Sequence, residues 1–156
     1  MQNAVVTSLR IFSGGQTGVD RAALDIALEL GLGHGGWCPR GRRAEDGSIH
    51  PRYHLRETAE KDYSARTRRN VESTDGTLIL YKGELEGGTE YTAQIAGQLH
   101  KPLLMVDLDQ PVGADTFKDW LARNNISILN VAGPRESKYP GIYQQSAALL
   151  RELLAG

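Results

Sequence analysis

Residues 13–28 read SGGQTGVDRAALDIAL, in which three glycines among the first six residues are followed by a helical pattern. The apolar run at 9–12 predicts a strand, and apolar residues at 19, 23, 26, 27 and 30 recur at helical spacing before Gly31. A glycine-rich turn between strand and helix suits a tight bend or a backbone that approaches a ligand closely. The stretch therefore predicts the first strand–turn–helix unit of an α/β fold.

The rest of the chain continues this alternation. Strands are predicted at 37–38, 76–81, 103–106 and 126–131, and helices at 62–73, 89–100, 114–123 and 141–154, with a polar irregular segment at 39–60. We expect a single domain over residues 1–156. Its predicted fold class is α/β, a Rossmann-like three-layer sandwich with a mainly parallel sheet and helices on both faces.

Composition narrows the class of protein. The 156 residues carry a net charge of -1, which argues against a general affinity for nucleic acid or anionic membranes. A lone cysteine, Cys38, excludes an internal disulfide and suits a reducing compartment. No apolar run approaches the ~20 residues needed to cross a bilayer, and the N-terminal residues lack a signal-peptide pattern. We expect a cytoplasmic protein without nucleic-acid or membrane partners.

The first glycine turn is a candidate anion site. Ligands of parallel sheets bind outside the carboxyl ends of the strands, where free N–H groups and the positive end of a helix dipole favour phosphate. A tightly packed turn is the alternative, because the lysine of a P-loop and the first glycine of the dinucleotide fingerprint are missing. If phosphate binds there, Gly15→Val should abolish binding without unfolding the protein. The candidate residues of this turn are Gly14, Gly15, Gln16, Thr17, Gly18 and Asp20.

Asp20 has two interpretations. Thr17 and Asp20 have the spacing of a capping box, with aspartate in place of the usual glutamate. In that case Asp20 only caps the helix. Alternatively, its carboxylate contacts a ligand hydroxyl or a metal.

A second glycine turn occurs at 82–92, KGELEGGTEYT, after the predicted strand at 76–81. Gly87 and Gly88 permit close approach of a ligand, and Thr89 supplies a hydroxyl and a helix-capping side chain. Plain capping is again the alternative. The coincidence of two such turns at the carboxyl edge favours a phosphorylated ligand, and Glu90 is a further candidate residue.

Arginine dominates the middle of the chain. Residues 40–69 hold nine basic and five acidic residues, and eight of the nine are arginine, whose planar fork suits oxyanions. Arg40, Arg42 and Arg43 are the candidate anion contacts, and Asn70 is a further candidate. The alternative is a solvated loop and helix face, although a long irregular segment in a compact domain is often a binding loop.

Four motifs in order carry a resemblance to a known family. The stretches SGGQTGVDRAALDIAL, GGWCPRGRRAEDG, RTRRNVESTDGTLIL and GGTEYTAQIA resemble those of molybdenum cofactor carrier proteins, and the match extends over roughly residues 9–150. That family is a branch of a Rossmann-like superfamily that also contains lysine decarboxylase-like nucleotide phosphoribohydrolases. The resemblance implies a homo-oligomeric carrier rather than an enzyme, which binds molybdenum cofactor, a phosphorylated pterin, and delivers it to apo-molybdoenzymes. It names no catalytic residue and no protein ligand to a metal.

The alternative function is a nucleotide-binding sensor or a nucleotide phosphoribohydrolase. The hydrolase relatives carry a turn of the form P-G-G-x-G-T-x-E-E, with a catalytic glutamate on the following helix. Here Gly88 and Thr89 match the G-T, but Tyr91 and Thr92 occupy the glutamate positions. Glu90 is one residue out of step, which on a helix turns it away by about 100°. This chain therefore lacks a general acid or base at the position where the hydrolase relatives carry one, and hydrolysis would need Glu86, Glu90 or Asp20 as a substitute.

Overall fold

A five-stranded parallel sheet forms the centre of the molecule, in a computed structural model that describes residues 8–155. The strands of this sheet are β1 (Arg10–Phe12), β2 (Gly33–Gly35), β7 (Gly76–Tyr81), β8 (Leu103–Asp107) and β9 (Ile128–Ala132). The strand order is β2-β1-β9-β7-β8, and every pairing between neighbours is parallel. The predicted parallel α/β sheet is thereby confirmed.

Five helices cover the two faces of the sheet. They are α1 (Val19–Leu30), α2 (Tyr63–Glu72), α3 (Gly87–Gln98), α4 (Ala114–Arg123) and α5 (Ile142–Leu154). On one face α1 and α4 both pack against α5, while α2 packs against α3 on the other. The larger apolar core lies between the sheet and the first group, and a smaller cluster of Val71, Ile95 and Ala96 lies under the second. Among residues 8–155, no helix is both long and apolar enough to cross a membrane.

The opening stretch folds as its pattern predicts. α1 buries Val19, Ala23, Ile26 and Ala27, which recur at helical spacing. It ends at Gly31, whose φ of 72° places it in the left-handed region and whose N–H caps the last turn. The first strand and the first helix therefore follow from apolar periodicity and one glycine.

The second strand of the central sheet differs from the prediction. Residues 37–38 do form a short strand, β3 (Trp37–Cys38), but it pairs with β6 (Arg56–Glu57) outside the central sheet. The second strand of the sheet is β2, whose sequence Gly-His-Gly resembles a turn. Side chains of β1 occupy the space beside both glycines, because a Cβ on Gly33 would meet Arg10 at 3.2 Å and one on Gly35 would meet Phe12 at 3.0 Å.

The segment 39–60 is folded against α1. It contains the antiparallel pair β4 (Arg43–Ala44) and β5 (Gly47–Ser48), and its side chains Ile49 and Tyr53 pack with Leu24 and Cys38. The prediction of an irregular segment holds for most of its length, but its apolar residues tie it to the domain. The absence of a signal peptide was predicted from residues 1–15, of which 1–7 lie outside the described residues.

Candidate functional site

A crevice of about 250 Å³ opens at the carboxyl edge of the central sheet. Three connections form its walls: the turn after β1, the turn that opens α3, and the turn after β9, with α2 along one side. Because parallel strands end at the same edge, connections that are distant in sequence meet there. Half of the predicted site residues line this crevice, namely Gly14, Gln16, Asp20, Asn70, Gly87, Gly88 and Thr89.

The other half lies outside it. Thr17 donates its hydroxyl to Glu45 and accepts the N–H of Glu136 at 3.2 Å, so it joins two loops. Gly18 lies against the turn after β9, where a Cβ would clash with the carbonyl oxygen of Pro134. Glu90 is exposed on α3, and the structure leaves it outside the crevice. The predicted residues that do not line the crevice are Gly15, Thr17, Gly18, Arg40, Arg42, Arg43 and Glu90.

Gly15 is required by packing. Its φ of 78° is in the left-handed region, and a Cβ would meet Leu55 at 2.7 Å and Ile49 at 3.0 Å. A valine there would enter the small apolar cluster beneath the segment 39–60, not the space of a ligand. The expectation that Gly15→Val leaves the fold intact is therefore wrong. Gly14 does line the crevice, where a Cβ on it would collide with the guanidinium of Arg66.

Asp20 places a buried carboxylate in the wall of the crevice. Its side chain is 8% exposed, and Nη1 of Arg66 lies 3.6 Å from its Oδ2. Burial raises the pKa of Asp20 from 3.8 to about 6, although Arg66 and the backbone N–H groups of Gln16 and Gly14 lower it. The N-cap of α1 is Gly18 and no side chain caps it, so the predicted capping box is wrong. A carboxyl with this pKa in a crevice is typical of functional sites.

The second glycine turn presents open backbone. α3 begins at Gly87 after the N-cap Glu86, and it has no side-chain cap, so the capping role predicted for Thr89 is wrong. Within residues 8–155, no hydrogen-bond acceptor is found for the N–H groups of Gly87, Gly88 and Thr89. A Cβ on Gly88 would meet nothing within 4 Å. Open N–H groups at a helix N-terminus favour an anion.

The arginines at 40, 42 and 43 do not line the crevice, and the side chains of Arg42 and Arg43 instead contact the middle segment and its flanks. The guanidinium of Arg42 donates to the carbonyl oxygens of Ile49 at 3.1 Å, His50 at 2.8 Å, Tyr53 at 2.9 Å and Leu55 at 3.4 Å. Arg43 donates to the carbonyl of Lys61 at 3.2 Å and lies over the ring of Tyr63, while Arg40 is exposed. The role of Arg42 is therefore to stabilise the segment 39–60, because backbone carbonyl oxygens already accept the N–H groups of its guanidinium.

Asn70 has a structural task within the crevice wall. Its Oδ1 accepts the N–H of Trp37 at 2.8 Å, and its Nδ2 donates to the carbonyl of Trp37 at 2.9 Å. Both ends of the amide are therefore engaged by β3. Asn70 shapes the crevice by fixing α2 to this strand.

Sequence reasoning missed the third connection. Asn130 is a buried residue in the middle of β9 that lines the crevice, and Arg135 and Lys138 follow in the loop before α5. The polar Asn130 in an apolar strand, followed by Gly133 and Pro134, was the available signal for a third turn. Three ion pairs lie in the lining of the crevice: Asp20 with Arg66, Glu45 with Arg135, and Glu86 with Lys138.

Metal coordination by side chains has no support in the part of the chain that the structure describes. Among residues 8–155, no group of three or more His, Cys, Asp or Glu side chains is placed to hold a metal ion. The chemistry of the crevice is that of open N–H groups, one buried carboxylate and side-chain amides. Such groups recognise an organic ligand by hydrogen bonds and charge.

Comparison with known proteins gives a family match and one similar structure. The model of the circularly permutated YpsA SLOG family matches residues 11–154. A crystal structure of a "putative molybdenum carrier protein" from Syntrophus aciditrophicus SB has 45% sequence identity, covers 96% of this chain and 97% of its own, and has a TM-score of 0.90. No curated protein matches the chain significantly. The resemblance read from the four motifs is confirmed.

Proposed function

The chain belongs to the circularly permutated YpsA SLOG family, and on this premise we propose that it is a carrier of molybdenum cofactor. In this proposal the crevice binds the phosphorylated pterin and shields it from water until an apo-molybdoenzyme receives it. The carrier works in the cytoplasm as a homo-oligomer. The similarity to a protein named as a molybdenum carrier and the crevice between the two glycine turns support the proposal.

The observation that carries this proposal is the open N-terminus of α3. Gly88 lines the crevice with free space beside it, and its N–H and those of its neighbours have no acceptor within residues 8–155. A phosphate placed there would accept these N–H groups. Lys138 now pairs with Glu86, whose side chain is 59% exposed. Glu86 can turn into solvent and leave the lysine to the phosphate.

The first glycine turn is the poorer candidate for the phosphate. The N–H of Val19 donates to the carbonyl of Pro134 at 3.3 Å, and the N–H of Thr17 donates to Oε1 of Gln16 at 3.0 Å. These donors are used within the protein. We therefore assign the phosphate to α3 and the ring system to the deeper wall at Asp20. The volume of about 250 Å³ is somewhat below the ~300 Å³ at which ordinary small-ligand sites begin.

The test is a pair of matched variants on the same helix. In Gly88→Ala a methyl group enters the open space of the crevice, and in Gly97→Ala it meets nothing within 4 Å on α3 outside the crevice. Alanine favours a helix over glycine by up to ~1 kcal/mol, so neither variant should lose stability. We expect Gly88→Ala to weaken binding of molybdenum cofactor roughly tenfold or more and Gly97→Ala to leave it unchanged.

Binding is measured as the rise in melting temperature with molybdenum cofactor, AMP, ATP and inorganic phosphate, since a ligand of the folded state raises the midpoint. Equal binding of the cofactor by both variants would show that its phosphate does not bind at the N-terminus of α3. A rise in melting temperature with nucleotides but none with the pterin would indicate a nucleotide sensor and not a carrier of molybdenum cofactor.

A nucleotide hydrolase is the second candidate, and one observation favours it. Asp20 is a buried carboxyl with a raised pKa in the crevice, as a general acid requires. The catalytic glutamate of the hydrolase relatives has no counterpart, because Glu90 is exposed outside the crevice and Thr92 donates its hydroxyl to the carbonyl of Gly88 at 2.8 Å. Mass spectrometry of each incubation decides: release of a free base that Asp20→Asn abolishes would establish hydrolysis.

A further inference from the structure

The deep wall of the crevice holds polar atoms that the protein itself does not use. Gln16 and Asn130 are 8% and 2% exposed. Oε1 of Gln16 accepts the N–H groups of Thr17 and Glu45, which leaves its Nε2 donor without an acceptor among residues 8–155. Nδ2 of Asn130 lies 3.3 Å from the hydroxyl of Thr77, while its Oδ1 has no donor in the same range. Both residues line the crevice beside Asp20.

The free atoms of Gln16 and Asn130 face the open crevice, because among residues 8–155 the hydroxyl of Ser146 is the one fully buried side-chain N or O atom without a partner. A ligand that takes the place of water in the crevice has to pair with these atoms. The acceptors on this wall are the carboxylate of Asp20 and Oδ1 of Asn130, and the donors are Nε2 of Gln16 and the guanidinium of Arg66. Arg66 is held in place because its Nη1 also donates to the carbonyl of Gly14 at 3.0 Å. A matching ligand edge therefore presents adjacent N–H donors next to a carbonyl acceptor.

We propose that Asp20, Gln16 and Asn130 select a 2-amino-4-oxopyrimidine ring, the ring shared by pterins and guanine. The exocyclic amino group and the adjacent ring N–H of that edge donate to the carboxylate of Asp20, and its carbonyl accepts from Gln16 or Arg66. Adenine offers a ring nitrogen acceptor where this edge has an N–H, and that nitrogen would face the carboxylate. Such a site rejects ligands that displace water from its polar groups and leave those groups unpaired.

This inference rests on the proposed function for the position of the phosphate and adds the identity of the ring. It makes Asp20 the specificity-determining residue of the site. It also gives a reason for a carboxyl that burial disfavours, because a ring with two adjacent donors pairs with its charge.

The experiment compares ligands that differ by one group. Calorimetric titrations at pH 7.5 use GMP, IMP and AMP, in which IMP is GMP without the exocyclic amino group. Neopterin monophosphate and the corresponding lumazine form the pterin pair, in which an oxo group replaces the 2-amino group. We expect the amino-bearing member of each pair to bind about tenfold or more tightly, the usual worth of one hydrogen bond to a charged group.

Asp20→Asn should reduce that ratio to about threefold or less, because the amide carries no charge and presents a donor to the ring. Asp46→Asn is the matched control, because Asp46 pairs with Arg21 and does not line the crevice. The control should keep the wild-type ratio.

The two proposals fail separately. Equal affinity within both pairs, with clear binding of the phosphorylated compounds, overturns the ring assignment and leaves the phosphate at α3. If none of these compounds nor molybdenum cofactor binds, the carrier function falls and the ring assignment with it. Tight binding of the pterin with weak binding of GMP identifies the pterin as the source of the ring, and the reverse identifies guanine nucleotides.

Discussion

At the scale of single residues, Asp20 is the side chain on which the most depends. A carboxylate in a poorly solvated wall destabilises the folded protein whenever it is ionised, because burial outweighs the help of Arg66. Its folded-state pKa of about 6 exceeds the unfolded value of 3.8, so the folded state binds the extra proton. The stability cost is absent below pH ~4 and is complete above pH ~6.

Asp20→Asn should therefore be more stable than the wild type at neutral pH. The variant removes a cost of about 3 kcal/mol at pH 7.5 and changes the free energy of unfolding little at pH 4, where the wild-type carboxyl is already protonated. Urea titrations at the two pH values measure this. Asp46→Asn is the control with the opposite sign, because a hydrogen bond from Arg21 lowers the pKa of Asp46. A stability difference for Asp20→Asn that does not change with pH would contradict the raised pKa.

At the scale of elements, the segment 39–60 depends on one side chain for its shape. Arg42 adopts a φ of 54° and spreads its guanidinium over four carbonyl oxygens between Ile49 and Leu55. These bonds fold the segment over the first glycine turn, where Glu45 reaches Thr17 and Ser137. Arginine is suited to this task because its fork presents five donors in fixed directions.

Arg42→Ala should loosen this segment without unfolding the sheet. The loss of several hydrogen bonds to a charged group costs about 2 kcal/mol or more locally, so amide exchange at 47–55 should accelerate at least roughly tenfold. Hydrogen exchange followed by mass spectrometry resolves the segment. Arg43→Ala is the matched control, since Arg43 donates to a single carbonyl. Unchanged exchange in Arg42→Ala would show that Ile49 and Tyr53 hold the segment by packing alone.

At the scale of the whole molecule, the crevice exists because three connections end at one edge of a parallel sheet. β1, β7 and β9 are neighbours in the order β2-β1-β9-β7-β8, although β9 comes late in the chain. The insertion of β9 between β1 and β7 brings Asn130 and Lys138 between the two glycine turns. A ligand in the crevice must therefore contact parts of the chain that are far apart in sequence.

A ligand that binds as proposed should protect three separate segments from amide exchange at once. These are 14–20, 86–92 and 130–138, and the protection should be on the order of tenfold at saturation. The helix α4 (Ala114–Arg123) contributes nothing to the crevice and serves as the internal control. Protection confined to one of the three segments would mean that the ligand lies elsewhere.

Local sequence determined most of the elements. The helices α1, α4 and α5 and the strand β7 follow from periodicity and punctuation by glycine, because burial of one face imposes a period that the sequence displays. β2 was missed for a physical reason: its glycines make room for the side chains of Arg10 and Phe12, a requirement set by the neighbouring strand. The strand order likewise depends on long-range packing and not on local propensity.

For the candidate site, the sequence by itself determined the two glycine turns and the family. The chemistry of the glycine turns is local, because the first N–H groups of a helix have no partner within that helix, whatever fold the rest of the chain adopts. Only the tertiary structure decided which atoms face the ligand. In the folded protein Gly15 packs against an apolar cluster, and the guanidinium of Arg42 donates to carbonyl oxygens. Asp20, Arg66 and Asn130 lie together in the lining of the crevice. The direction of a side chain and the burial of a charge depend on neighbours supplied by distant parts of the chain.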